Sequence, residues 1–160
     1  MKKNIFKYIA IVVTCTSIFC GCGKEVSTEE LVDFRTTVDS FCESINTIDT
    51  NINELNIQDS NYQAVLMDNL NQLNDNFKVF ADIDFPKDYN YLETLADEAS
   101  TYMDTAVSSY EDIFANNYTE EAMLEKYNYA SENYQRAYKR IQIIITFLNG
   151  EKTSDDVVIE

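Results

Sequence analysis

The sequence predicts an all-α protein, an antiparallel up-down-up-down four-helix bundle of long, coiled-coil-like helices. Three observations predict it. After residue 24 the chain holds a single glycine, Gly150, and its only proline is Pro86, too few turn-formers for a β-sandwich or a doubly wound sheet. Apolar residues recur in alternating steps of three and four, the spacing of a helix that buries one face. Short polar stretches, not long loops, separate the four stripes, which is how sequential antiparallel neighbours are joined.

The first helix is expected from Thr28 to about Asn56. Its stripe runs Leu31, Phe34, Val38, Phe41, Ile45, Ile48, Ile52, Leu55, an unbroken a/d seam over four heptads. Ser27 with Glu30 reads as a capping box, and Glu29, Glu30 and Asp33 lie where the helix dipole favours anions. Asp59-Ser60 with Gln63 reads as a second capping box. It would open a helix from Asn61 to about Asp82, with Tyr62, Leu66, Leu70, Leu73, Phe77 and Phe80 facing inward.

Pro86 disfavours helix at Phe85 and suits a connector or a first helical turn. The third helix is therefore expected from about Lys87 to Ala115, with Leu92, Leu95, Ala99, Tyr102, Ala106, Ser109 or Tyr110, and Ile113 on its seam and Met103 and Phe114 alongside. Thr119 is placed to cap the fourth, whose seam runs from Met123 through Tyr127, Ala130, Tyr134, Ala137, Ile141 and Ile144 to Leu148. Glu132 is spaced to pair with Arg136 one turn on. Asn149-Gly150 is a C-terminal stop. Ala99, Ala106, Ala130 and Ala137 are small, so the third and fourth helices should approach most closely. A three-helix domain with the first helix as a stalk, or a dimer completing the bundle, are the alternatives. Similar seam lengths favour closure within one chain.

The N-terminus carries a different signal. Lys2, Lys3 and Lys7 precede an apolar run from Tyr8 to Phe19, and small residues follow, the layout of a secretory signal peptide. From Tyr8 to Cys22 there are 15 residues, diluted by Thr14, Thr16 and Ser17, whereas a membrane-spanning helix needs about 20 apolar residues. An uncleaved anchor or a simple secreted protein is the alternative. Phe19-Cys20-Gly21-Cys22 resembles the lipobox of bacterial lipoproteins, in which a bulky apolar residue, a small residue and glycine precede the modified cysteine. The resemblance covers about the first 25 residues. It implies that Cys22 carries a diacylglyceryl thioether, that residues 1–21 are a removed lipoprotein signal peptide, and that the protein is held at the extracytoplasmic face of a cell membrane. Phe19 departs from the usual Leu. Cys20 fits less well, because Phe19 and Ile18 before it are too large. Two or more acyl chains give stable anchoring where one does not. Gly23 is not the Asp of an inner-membrane retention signal, and the Asn, Ile, Lys and Tyr bias suggests an AT-rich, Gram-positive host. The domain organisation that follows is a signal peptide over 1–21, a tether over 22–27, the bundle over 28–150 and an acidic tail over 151–160.

Removal of residues 1–21 takes away three lysines and no acid, so 9 basic residues face 28 acidic ones and the mature charge is −19. Nucleic-acid binding needs phosphate-neutralising Lys and Arg and is not expected. Anionic headgroups are repelled too, so the domain should stand off the bilayer. Of the four cysteines only Cys42 would remain unmodified, which leaves no intrachain disulfide.

The chain has no histidine. That removes the commonest general base and the Ser-His and Cys-His nucleophile pairs, as well as the Glu-x-x-His ligands of di-iron bundles. No catalytic residue, metal site or cofactor is expected. Asp82, Asp84, Asp88 and Glu93 only loosely follow a calcium loop, because Pro86 and Lys87 stand where a ligand and a glycine are needed. The seams carry no carboxylate, and the acids read as solvated. Tyr102, Tyr110, Tyr127, Tyr129, Tyr134 and Tyr138 crowd the last two helices, mostly as packing. Tyr129, off the stripe, and Tyr118, in a connector, are the better candidates for partner contact. The architecture loosely resembles the small helical lipoproteins of Gram-positive bacteria. The expected function is a non-enzymatic, lipid-anchored interaction or structural module with an envelope protein as partner. The alternative is a ligand-binding sensor with a Tyr-lined groove between helices three and four.

Overall fold

The structure, a computed structural model, describes residues 29–150. These form a four-helix bundle: α1 Glu29–Asn53, α2 Tyr62–Ala81, α3 Glu93–Ala115 and α4 Glu120–Leu148. Side-chain contacts fix an antiparallel order. Phe41 of α1 meets Phe77 and Phe80 of α2 at 5.3 and 4.3 Å between ring centroids, and Ser44 bonds Asn76. Asn74 of α2 bonds Asp104 of α3. Glu98, near the start of α3, meets Arg140, late in α4, while Tyr110 meets Tyr127. α1 and α4 close the ring through Asp49 with Tyr134 and Tyr138, and through Arg35, which donates to the Leu148 carbonyl at 3.0 Å.

The four alanines are fully buried, and α3 and α4 make the most extensive backbone approach. A small side chain at each crossing lets the axes close in. α1 presents Phe and Ile at the equivalent positions and stands further out. Its seam from Phe34 to Ile52 is buried as expected, and Leu31 and Leu55 pack partly exposed at its ends. At the end where α2 turns into α3, Phe85 of the connector packs on Phe34 at 4.7 Å and on Phe80 at 5.9 Å, forming an aromatic plug.

The structure corrects three expectations. Lys87–Leu92 is a 3₁₀ segment and α3 begins at Glu93. Pro86 leaves no amide to bond, and the Tyr89 amide instead bonds the Pro86 carbonyl at 2.7 Å. Met103, not Tyr102, sits at the centre of the α3 seam with no exposure, and Tyr102 lies half-buried on its flank. α2 has no capping box: its N-cap is Asn61, which makes no side-chain cap bond. Asp59 is engaged in the turn before it, accepting from the Asn56 amide, while Asn56 accepts from the Gln58 backbone at 3.0 Å. The Ser27 capping box lies outside the described residues.

The other two helix ends follow expectation. The Thr119 hydroxyl accepts from the Ala122 amide at 3.3 Å. Gly150 has φ 71° and its amide bonds the Phe147 carbonyl, the left-handed stop that glycine adopts without strain. Thr119→Ala should lower stability by about 1 kcal/mol or slightly less, given the long bond. Urea unfolding followed by circular dichroism measures it, and an unchanged midpoint would show that water caps α4 equally well.

Candidate functional site

Of the two tyrosines offered for partner contact, the structure gives one to the fold and one to solvent. Tyr118 is half-buried at the α3–α4 corner. Its hydroxyl donates to both carboxylate oxygens of Asp112 at 2.9 Å. Lys126 approaches the same carboxylate at 2.7 Å and lies 4.7 Å from the Tyr118 ring centroid, and Asn116 adds a fourth member. Lys126 and the Tyr118 hydroxyl hold the Asp112 carboxyl below its ordinary range. Tyr118 thus braces a corner. Tyr129, 53% exposed, reaches solvent from the outer flank of α4. Cys22 lies outside the described residues.

Tyr102 is covered by charge. The Arg136 and Arg140 guanidinium carbons lie 5.8 and 5.7 Å from its ring centroid, within cation–π range. Arg140 is buried and its Nε meets Glu98 at 2.5 Å. The expected Glu132–Arg136 pair does not form among the described residues, because Arg136 turns onto the ring. Carboxylate density is not metal geometry: among the described residues no three acidic or cysteine side chains gather to hold an ion. Among them, too, no helix is long and apolar enough to cross a membrane.

The feature that sequence reasoning missed is Asp49. The acids were expected on solvated faces, yet Asp49 is only 6% exposed, between Ile48 and Ile52 on the inner side of α1. Tyr134 donates to its Oδ1 in a very short hydrogen bond, and Tyr138 donates to its Oδ2 at 2.7 Å. Two donors aimed at two acceptors suit an ionised carboxylate. The phenol rings stack at 4.9 Å, their oxygens 3.3 Å apart, and the Phe77 ring closes the site edge-on. Burial pushes the Asp49 carboxyl up, and the two phenol bonds only partly offset it. Burial and the facing carboxylate push both phenols well above their ordinary value. The signal available in sequence was the i, i+4 tyrosine pair on α4, which places two hydroxyls on one inner face and implies a buried acceptor opposite.

A second buried pair, Tyr110 and Tyr127, meets at 5.8 Å edge-on. Burial pushes the Tyr127 phenol up to about 12 and Tyr110 higher still. Tyr110, Tyr127, Tyr134 and Tyr138 are therefore inside the bundle, leaving Tyr129 as the exposed aromatic of α4. No protein-family model, curated protein or solved structure matches this chain.

Proposed function

We propose that the chain is a non-enzymatic bacterial lipoprotein, anchored through Cys22 to the extracytoplasmic face of the cell membrane, whose bundle serves as an interaction or structural module for other envelope proteins. One observation carries the reading: three lysines, an apolar run and Phe19-Cys20-Gly21-Cys22 stand in that order at the N-terminus. The bundle adds support. α1 begins at Glu29, seven residues beyond Cys22, so a lipid on that thiol would hold the domain on a short tether. The absence of histidine from the whole chain and the enclosure of Asp49 by its own tyrosines support a role without catalysis. Tyr129 is the side chain most suited to meet a protein partner.

Expression in a bacterial host with labelled palmitate tests the anchor. The wild-type chain should take up label, fractionate with membranes and yield an N-terminal peptide beginning at Cys22 with a diacylglyceryl mass. Cys22→Ala should remain unprocessed or be released unlabelled. Unchanged labelling in Cys22→Ala would show that another cysteine is modified, and a bare Cys22 in the wild type would remove the reading altogether.

A further inference from the structure

Arg136, Lys139 and Arg140 are three of the seven basic residues between 29 and 150, gathered within five positions of α4 in an acidic chain. Arg136 and Arg140 lie on the outer seam of α3 and α4, with Lys139 beside them. Four contacts mark that seam from end to end: Tyr91 with Phe147 at 5.7 Å, Glu98 with Arg140, Tyr102 under Arg136, and Asp112 with Lys126. Arg140 is committed to Glu98 and to the Tyr102 ring. Arg136 and Lys139 are exposed, and neither makes an ion pair among the described residues. Two turns before Arg136, on the same face, stands exposed Tyr129.

Gly150 closes α4 in the left-handed conformation, which turns the chain off the helix axis. The residues after it read EKTSDDVVIE and lie outside the described residues. Their sequence holds a pair of acids, Asp155 and Asp156, followed by an apolar run, Val157, Val158 and Ile159. Reach decides what each can meet. At a rise of about 1.5 Å per residue, Lys139 and Arg136 lie roughly 17 and 21 Å back along α4 from Gly150. An extended chain of about 3.3 Å per residue brings Asp155 and Asp156 roughly 17 and 20 Å from the same point. Tyr129 lies roughly 32 Å back, and Ile159 reaches roughly 30 Å. Exposed Glu132, between Arg136 and Tyr129, would repel an acid at its level, and there the sequence supplies apolar residues instead.

We infer that the outer face of α4 from Lys139 to Tyr129 is a docking surface for the chain's own residues 151–160. Asp155 and Asp156 meet Arg136 and Lys139, and Val157, Val158 and Ile159 continue along the helix to the Tyr129 ring. Each exposed ion pair is weak alone. Attachment through Gly150 gives the segment an effective concentration of about millimolar, so several weak contacts suffice to hold it. A docked segment covers Tyr129, the side chain best placed to meet a partner, and a partner using that ring must displace it. The inference goes beyond the lipoprotein reading and does not depend on the anchor.

Zero-length carbodiimide coupling of the full chain tests the contact, because it joins only a carboxylate and an amine already in contact. Lys78–Asp104 and Lys126–Asp112, both at 2.7 Å, serve as internal controls. Mass spectrometry of the digested protein should find Lys139 joined to Asp155 or Asp156. A mixture of isotope-labelled and unlabelled chains should place that link within one chain. In the full chain carrying Asp155→Asn and Asp156→Asn, tetranitromethane should nitrate Tyr129 about threefold faster than in the wild type, with Tyr118 as the reference ring. Both substitutions lie beyond α4, and circular dichroism checks that the bundle is unchanged. Absence of the Lys139 link while both control links form would overturn the inference. So would a link to Lys87 in its place, a link found only between chains, which would make a second copy the occupant, or an unchanged nitration rate at Tyr129.

Discussion

Replacing Tyr134 and Tyr138 together by phenylalanine should cost about 3–5 kcal/mol of folding stability at neutral pH, a large share of the roughly 5–15 kcal/mol that a domain has. The rings would still stack and still fill the space between α1 and α4. Only the hydroxyls would go, and they are the donors that Asp49 has in the structure. A carboxylate 6% exposed and without donors cannot remain ionised cheaply. The remedy follows from the same physics: adding Asp49→Leu to the double variant removes the stranded charge and should restore stability to near the wild-type value, because an apolar set of similar volume needs no hydrogen bonds. The pH dependence has a definite sign. An acid whose folded pKa is raised binds more protons in the native than in the unfolded state, so stability falls as pH rises from the unfolded value, about 4, through the folded one. Asp49 is raised by burial and will be raised further without its phenols. The deficit of the double variant should therefore shrink as pH is lowered through that window. Chemical denaturation of the three proteins across acidic and neutral pH measures it. A double variant as stable as the wild type at neutral pH would show that water already reaches Asp49.

The same site explains how much was legible beforehand. Helix number, order and inward stripes could be read because burial of one face imposes a period, and Leu66, Leu73, Phe77, Ile141 and Ile144 obey it without exception. The alanine column gave the tightest pair of helices for the same reason. Asp49 was not legible from its own helix, where it is one acid among several beside a seam. What makes it internal is the pair of hydroxyls on a helix 85 and 89 residues away. Arg140 repeats the lesson: nothing in its own helix's spacing points to its partner, Glu98, 42 residues earlier. Periodicity reports which face is inside. Polar pairing across faces depends on the register between helices, which a single stripe does not carry. Met103 displaced Tyr102 from the seam because Tyr102 could satisfy its ring under two guanidinium groups, an option invisible in apolar spacing.

The second large effect should come at the alkaline end. Tyr110, Tyr127, Tyr134 and Tyr138 all have phenols raised by burial, Tyr127 to about 12, Tyr110 further, and Tyr134 and Tyr138 well above the ordinary value. A raised folded pKa means that stability is complete below the unfolded value, near 10, and is lost as pH rises above it, because the unfolded chain gives up protons that the bundle retains. Each such tyrosine contributes a slope of about 1.4 kcal/mol per pH unit, so four acting together remove about 5 kcal/mol per unit. Against a domain stability of about 5–15 kcal/mol, the bundle should unfold cooperatively between about pH 11 and about pH 13. Four buried phenols cannot ionise one by one inside a closed core, so of the absorbance of the eleven tyrosines the part due to these four should rise together with the loss of helical ellipticity, with one midpoint. Tyr110→Phe with Tyr127→Phe removes two of the four linked protons and should make the alkaline decline of stability about half as steep while leaving the Asp49 site intact. Absorbance from all eleven tyrosines, reached while the helical spectrum is unchanged, would mean that these four rings titrate in contact with water, and the burial from which both large effects are derived would be wrong.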